Sequence, residues 1–310
     1  MTGAAARRRE PAVRSRGRRL LAALGRLLPF FRPGGWLMLP AVLFTVLLIG
    51  FPLAYTVYLS LHRVPLGRTA RFIGTGNYAR MFDDPLFWNG LWITLVLFLG
   101  SLVVQLVIGT YVGLLLNTAL RGRSVLRAVL LSPFVMPPVV VGMMWLVLLD
   151  PSVGAVNYLV ESIGLPRSTW LASPTMVVPT LIMIDTWQFT PFVALIVLGG
   201  LQALSLTPYE SASIDGATPW QMFVHITLPL LRPALVSAMI LRSVDLLRFF
   251  DIIYITTAGG PGNASTTLNI YAFRQGFEFF NLGYASSVMI ALFTLVLIVS
   301  IVLTGMRRAA

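Results

Sequence analysis

Residues 210–233 read ESASIDGATPWQMFVHITLPLLRP, a polar, turn-punctuated stretch set between two long apolar runs. Its local grammar is legible. Thr207-Pro208-Tyr209-Glu210 has the form of a capping box with Pro at the first helical position. Asp215-Gly216 supplies a C-terminal stop for the helix so begun. Thr218-Pro219-Trp220-Gln221 repeats the capping grammar and opens a second helix, and Pro229 and Pro233 mark the return into apolar sequence. The expectation is two short helices joined by a glycine turn, with Trp220, Phe223 and Val224 grouped at helical spacing. Ser211, Ala212 and Ala217 are small, so another surface can approach the backbone closely. A packed cap and a docking site both fit this description. A nucleic-acid-binding helix-turn-helix does not, because His225 is the only basic side chain before Arg232.

The rest of the chain is built for lipid. Of 310 residues, 57% are hydrophobic and only 11% charged, where a soluble domain of this size carries about a quarter charged residues. All 23 basic residues are Arg. With no Lys there is no P-loop, so the chain has no ATP-hydrolysing site of that kind. With no Cys there are no disulfides, thiolate metal sites or cysteine nucleophiles. His62 and His225 lie far apart without an HExxH pattern and read as interfacial polar residues rather than metal ligands. The net charge of +12 is concentrated ahead of the first apolar run, where nine Arg precede residue 33. That is the flank of a membrane span drawn to anionic lipid, not a nucleic-acid surface.

Six apolar stretches reach the roughly 20 residues that a helix needs to cross a bilayer. They run approximately over Trp36–Leu61, Trp88–Asn117, Leu126–Leu149, Met176–Leu201, Leu230–Thr256 and Leu282–Gly305. The first is too long for a signal-peptide core and is read as retained. Residues 20–28 fit a short interfacial helix. Placing the N-terminus in the cytoplasm puts 15 Arg on that side and six outside. Both termini, and the segment at 207–233, then face the cytoplasm. The chain divides into an Arg-rich tail (1–35), an all-α six-span domain (36–305) and a short C-terminal tail (306–310).

The opening segment resembles the EAA loop of importer permeases in the ATP-binding-cassette superfamily, whose pattern is approximately E-A-A-x-x-D-G-A followed by F-x-x-I-x-L-P. Glu210, Ala212, Asp215, Gly216, Ala217, Phe223, Ile226, Leu228 and Pro229 match it, and Ser211 replaces an Ala while keeping a small volume. A second stretch, FDIIY at 250–254 followed by TAGGPGNAST and YAFRQGF, is similar to the first-named permease of the paired maltose and glycerol-phosphate type. The likeness covers about residues 36–305, including LSPFVMPP in the third span.

It implies a coupling helix seated in a cytoplasmic ATPase, with Glu210, Ser211, Ala212, Asp215, Gly216, Ala217, Phe223 and Pro229 as the coupling residues. It also implies a second homologous permease, two ATPase subunits carrying ATP and Mg, and an extracytoplasmic sugar-binding protein. This chain itself would hold no cofactor or metal and break no bond. A polyol, glycerol phosphate or peptide cargo stays open beside a sugar. An integral membrane enzyme would need convergent His, carboxylate or Ser clusters, which the sequence does not offer.

Charges inside a span are costly and are candidate pathway residues. Asp185 stands in the fourth span beside Trp187 and Gln188. Arg242, Asp245, Arg248 and Asp251 follow one another at i,i+3 steps in the fifth, a spacing that lets opposite charges pair along one stripe. An ion-pair ladder, a subunit contact and a solute contact all fit that stripe. Pro133, Pro137, Pro138, Pro179 and Pro191 interrupt the third and fourth spans, as in transporters that expose backbone at the midplane. A sugar contact, which needs flat faces and directed polar groups, fits Trp145, Trp187, Gln188 and Asp245, and lipid-facing or packing roles fit the aromatics among them as well.

Overall fold

Lipid offers no hydrogen-bond partners, so an apolar run must close its backbone bonds within a helix. The computed structural model of the chain, which describes residues 35–65, 67, 69–118 and 123–308, follows this rule. The Arg-rich tail and the helix expected at 20–28 lie outside the described residues. Helix α1 (Leu39–Ser60) follows a 3-10 turn and contains a π turn at Val46–Gly50. That wider turn sits two residues before Pro52, whose ring would otherwise meet a carbonyl one turn back.

The described residues from 57 onward form one compact unit. A two-stranded antiparallel ribbon, β1 (His62–Arg63) with β2 (Arg71–Phe72), leads to α2 (Gly76–Phe82). The Asn77 amide donates to the carbonyls of Ser60 (2.8 Å) and His62 (3.0 Å), fastening the ribbon to α2. Next come α3 (Pro85–Asn117), α4 (Arg123–Val135), α5 (Pro138–Leu148), α6 (Ala155–Ser162) and α7 (Val177–Gln202). The short helices α8 (Thr207–Ile214) and α9 (Pro219–Met222) precede α10 (Leu228–Leu247), α11 (Asp251–Thr256), α12 (Leu268–Phe273) and α13 (Leu282–Arg308).

Helices α3 and α7 make the most extensive pairing, and small residues allow it. A Cβ on Gly109 would fall 2.6 Å from Val193 Cγ1, and one on Gly113 2.6 Å from Val197 Cγ1. This GxxxG face replaces the hydrophobic drive that helices lack in lipid with close van der Waals contact. Val193 and Val197 belong to a buried cluster with Leu201, Leu231 and Ala238, while further along the same helices Leu97 of α3, Leu181 and Ile184 of α7, Val141 of α5 and Ile252 of α11 share another.

Two expected spans are not single straight helices. The third is a pair of helices bent by 98° between Val135 and Pro138. Pro137 and Pro138 carry no amide hydrogen, and the residue ahead of each proline is pushed out of helical conformation. Five other stretches are long and apolar enough to cross a membrane, so the described residues hold up to six crossings when the bent pair is counted as one. The fifth span starts earlier than expected. Helix α9 is not a separate short helix: it passes through a π turn (Phe223–Thr227) directly into α10. The π turn again sits two residues before a proline, Pro229. Helix α10 ends at Leu247 with Arg248 as its cap, so Asp251 begins a new helix instead of extending the stripe. The last helix runs past Gly305 to Arg308.

Away from α8 and α9, Asp84 caps the start of α3 by accepting from the Leu86 amide at 2.9 Å. Its other carboxylate oxygen accepts from the hydroxyls of Tyr271 and Tyr284, joining α12 and α13 to that helix start. Burial pushes the Asp84 carboxyl up, but these hydrogen bonds and nearby Arg80 outweigh it and hold it below the usual range. The Tyr271 hydroxyl is pushed up to about 12, by burial first and then by its bond to Asp84.

Candidate functional site

Helix α8 ends in a complete Schellman motif. The Gly216 amide donates to Ser213 O (3.2 Å) and the Ala217 amide to Ala212 O (2.9 Å). Gly216 takes φ +77°, the left-handed region that a side chain disfavours, and a Cβ there would meet nothing within 4 Å. Thr218 and Gln221 form the expected reciprocal capping box on α9. The first expected box does not form. Thr207 lies inside α8, whose cap is Leu206, and the Thr207 amide donates to the Ser205 hydroxyl instead (3.3 Å). Glu210 is therefore one position further into the helix than the box requires, and it is exposed.

The segment is presented outward. Ile214 is 87% exposed and Trp220 70% exposed. Ser211, Asp215 and Gly216 are exposed, while Ala212, Ala217 and Phe223 are half-buried. The Tyr209 hydroxyl donates to Thr227 Oγ1 at 3.1 Å, tying α8 to the π turn that leads into α10. Trp220 and Phe223, with ring centroids 5.6 Å apart, border an apolar cavity of about 580 Å3 against Tyr111 and Leu114 of α3.

A second site lies along α10. Arg242 and Asp185 are each 1% exposed, and Arg242 Nη2 donates to both Asp185 oxygens at 3.1 and 3.0 Å. Gln105 of α3 closes a ring. Its carbonyl accepts from Arg242 Nε (2.9 Å) and its amide donates to Asp185 (2.5 Å). The Arg242 guanidinium also lies 4.0 Å from the centroid of the Phe189 ring. Three helices thus supply a neutral, hydrogen-bonded set in the interior, the only form in which such charges persist there at low cost. Sequence spacing missed Gln105, the one amide between Asn89 and Asn117 in an otherwise apolar helix.

Asp185, Arg242, Asp245, Arg248 and Asp251 all border one cavity of about 500 Å3 with Phe189, Phe249, Phe250 and Asn269. The ladder along α10 is only partial. Asp245 lies 3.8 Å from Arg242 Nη1 and 3.6 Å from Arg248 Nη2, and Asp251 has no ion pair among the described residues. Asn269 donates to the Arg248 carbonyl (2.9 Å), completing the end of α10.

The remaining three candidates lie elsewhere. Gln188 donates to the Met136 carbonyl (2.9 Å), the group left open where the α4–α5 pair bends. Trp145 and Trp187 meet edge to face, with centroids 5.6 Å apart, and Trp187 lines a separate apolar cavity of about 660 Å3.

The model of the family described as "Binding-protein-dependent transport system inner membrane component" matches residues 105–309. The chain is 37% identical to the trehalose/maltose transport system permease protein MalF of Thermococcus litoralis, over 88% of this chain and 92% of that one. It is 35% identical to the sulfoquinovosyl glycerol transport system permease protein SmoG of Agrobacterium fabrum, over 86% and 87%. In fold it is similar to a chain of a bacterial alginate ABC transporter, solved with an alginate pentasaccharide-bound periplasmic protein. The TM-score is 0.78 at 22% identity, covering 97% of this chain and 98% of that one.

Proposed function

The chain belongs to the family of binding-protein-dependent transport system inner membrane components, and on that premise we propose that it is a sugar-importer permease whose exposed 207–229 segment couples it to an ATPase. The observation that carries the coupling is the pairing of a fixed Schellman turn at Gly216 with large apolar side chains, Ile214 and Trp220, turned outward. Glu210, Ser211, Ala212, Asp215, Gly216, Ala217, Phe223 and Pro229 shape or present this surface. The sugar follows from the relatives, whose names refer to trehalose, maltose and sulfoquinovosyl glycerol. A second permease, two ATPase subunits with ATP and Mg, and an extracytoplasmic binding protein complete the machine. The Arg bias supports termini and segment on the cytoplasmic side. We divide the chain into a tail (1–35), a permease domain (36–305) and a short C-terminal tail (306–310).

The geometry supplies a lever. Movement of α8 is passed by the Tyr209–Thr227 bond to the π turn and on to α10, which bears Arg242, Asp245 and the cavity wall. ATP-driven closure of the partner subunits would shift the bundle between its two openings by favouring one of two packings. The chain has no native cysteine, so Ile214→Cys is a unique attachment point. Oxidation of the assembled complex should link it to a cysteine introduced in the ATPase. Absence of any adduct from positions 210–217 in an intact, transporting complex would contradict the coupling role.

A further inference from the structure

We infer that the charged cavity along α10 selects an uncharged saccharide and repels an acidic one, with Asp251 as the discriminating residue. The inference rests on the importer reading above and names the solute class for it. Five ionisable side chains border the cavity, two Arg and three Asp. Each cation faces a carboxylate. Arg242 is committed to Asp185 and Gln105, and Arg248 lies 3.6 Å from Asp245, which also faces Arg242 at 3.8 Å. The surplus charge is therefore negative.

Asp251 carries that surplus. It stands at the first turn of α11, is exposed, and has no hydrogen bond or ion pair to its carboxylate among the described residues. The other bordering side chains named above, Phe189, Phe249, Phe250 and Asn269, bear no charge. They offer apolar faces and an amide, groups that suit hydroxyls and sugar-ring C–H surfaces. A carboxylate, sulfonate or phosphate would meet one exposed guanidinium, Arg248, that already faces Asp245, and one unpaired carboxylate. Specificity built on such repulsion needs no extra attractive contact to the preferred solute. The relatives span both classes, since maltose and trehalose are neutral and sulfoquinovosyl glycerol is acidic. The charge balance of the cavity places this chain with the first class.

The test reads the cavity without relying on the binding protein's own selectivity. In the assembled importer, Phe249→Cys or Asn269→Cys is labelled with a cationic, a neutral and an anionic methanethiosulfonate of similar size. Rates are normalised to those with a free thiol. The cationic reagent should react about tenfold or more faster than the anionic one, and Asp251→Asn should remove most of that preference. Equal rates, or a preference for the anionic reagent, would show that a partner's cation balances Asp251 and would overturn the inference. Uptake of a neutral disaccharide and of its uronate analogue is then compared at equal occupancy of the binding protein. A uronate rate at least tenfold lower is expected in the native complex and not in Asp251→Asn, and equal native rates contradict the inference. Failure to take up any saccharide would instead overturn the sugar reading itself.

Discussion

Arg242 and Asp185 meet inside the bundle with Nη2 3.0 Å from the nearer carboxylate oxygen, and neither side chain is more than 1% exposed. Removing one member strands the other's charge, which costs about 3–5 kcal/mol for a buried pair, whereas replacing both with apolar residues of similar size is often neutral. Asp185→Asn or Arg242→Gln should therefore lower the yield and thermal stability of the complex strongly. Asp185→Leu with Arg242→Met should recover much of the loss. A double-mutant cycle on thermal unfolding in detergent measures this directly. Additive losses would mean that the pair does not act as a unit.

The α3–α7 contact depends on the absence of side chains at two positions. Gly109→Leu forces atoms into a space where even a Cβ would lie 2.6 Å from Val193 Cγ1, and overpacking of this kind costs about 1–3 kcal/mol. Gly199, also in α7, has nothing within 4 Å of its would-be Cβ. Gly199→Leu should thus leave the melting temperature nearly unchanged while Gly109→Leu lowers it. Equal effects at the two sites would remove the close-packing account.

Acid should loosen the junction between α3, α12 and α13. The Asp84 carboxyl is held below its ordinary range in the folded protein. Its stabilisation is complete above the unfolded pKa, about 4, and is lost as pH falls through the folded value. Asp84→Asn, which can still cap α3, should be less stable than the native chain by about 1 kcal/mol at neutral pH, because the Tyr271 and Tyr284 hydroxyls then donate to a neutral oxygen instead of a carboxylate. The gap should be unchanged from pH 7 to 5 and close below about pH 4. Thermal unfolding across that range checks the sign, and a gap that widened on acidification would contradict it.

Much of the outward segment was legible because its signals are local. Gly216 takes the left-handed turn that its place after Asp215 implied, and Thr218 with Gln221 forms the box that their spacing implied. The box expected at Thr207 failed because Ser205 competes for the same amide, a contest that a four-residue pattern does not weigh. The pairing of Arg242 was hidden for a different reason. Its i,i+3 neighbours lie on its own helix, whereas Asp185 and Gln105 arrive from two others, and no spacing within one helix encodes that meeting. Gln188 looked like a solute contact because a polar side chain in a span invites function. The structure shows its amide donating to a backbone carbonyl opened by the prolines of another span. The GxxxG face of α3 was present in the letters at 109–113 and gains its meaning only from the valines of α7 opposite it.

In the proposed function the turn at Gly216 transmits ATP hydrolysis to the bundle. Because nothing surrounds the site of a Cβ at Gly216, a substitution there acts through the backbone alone, at about 1–2 kcal/mol for a left-handed residue. Substrate-stimulated ATP hydrolysis and uptake are measured on purified complexes carrying Gly216→Val and Gly216→Asn, with insertion and assembly followed in parallel. The account predicts that Gly216→Val inserts and folds yet loses most of the stimulation, while Gly216→Asn, which tolerates this conformation, keeps much of it. Full stimulation and uptake in a Gly216→Val complex would contradict it.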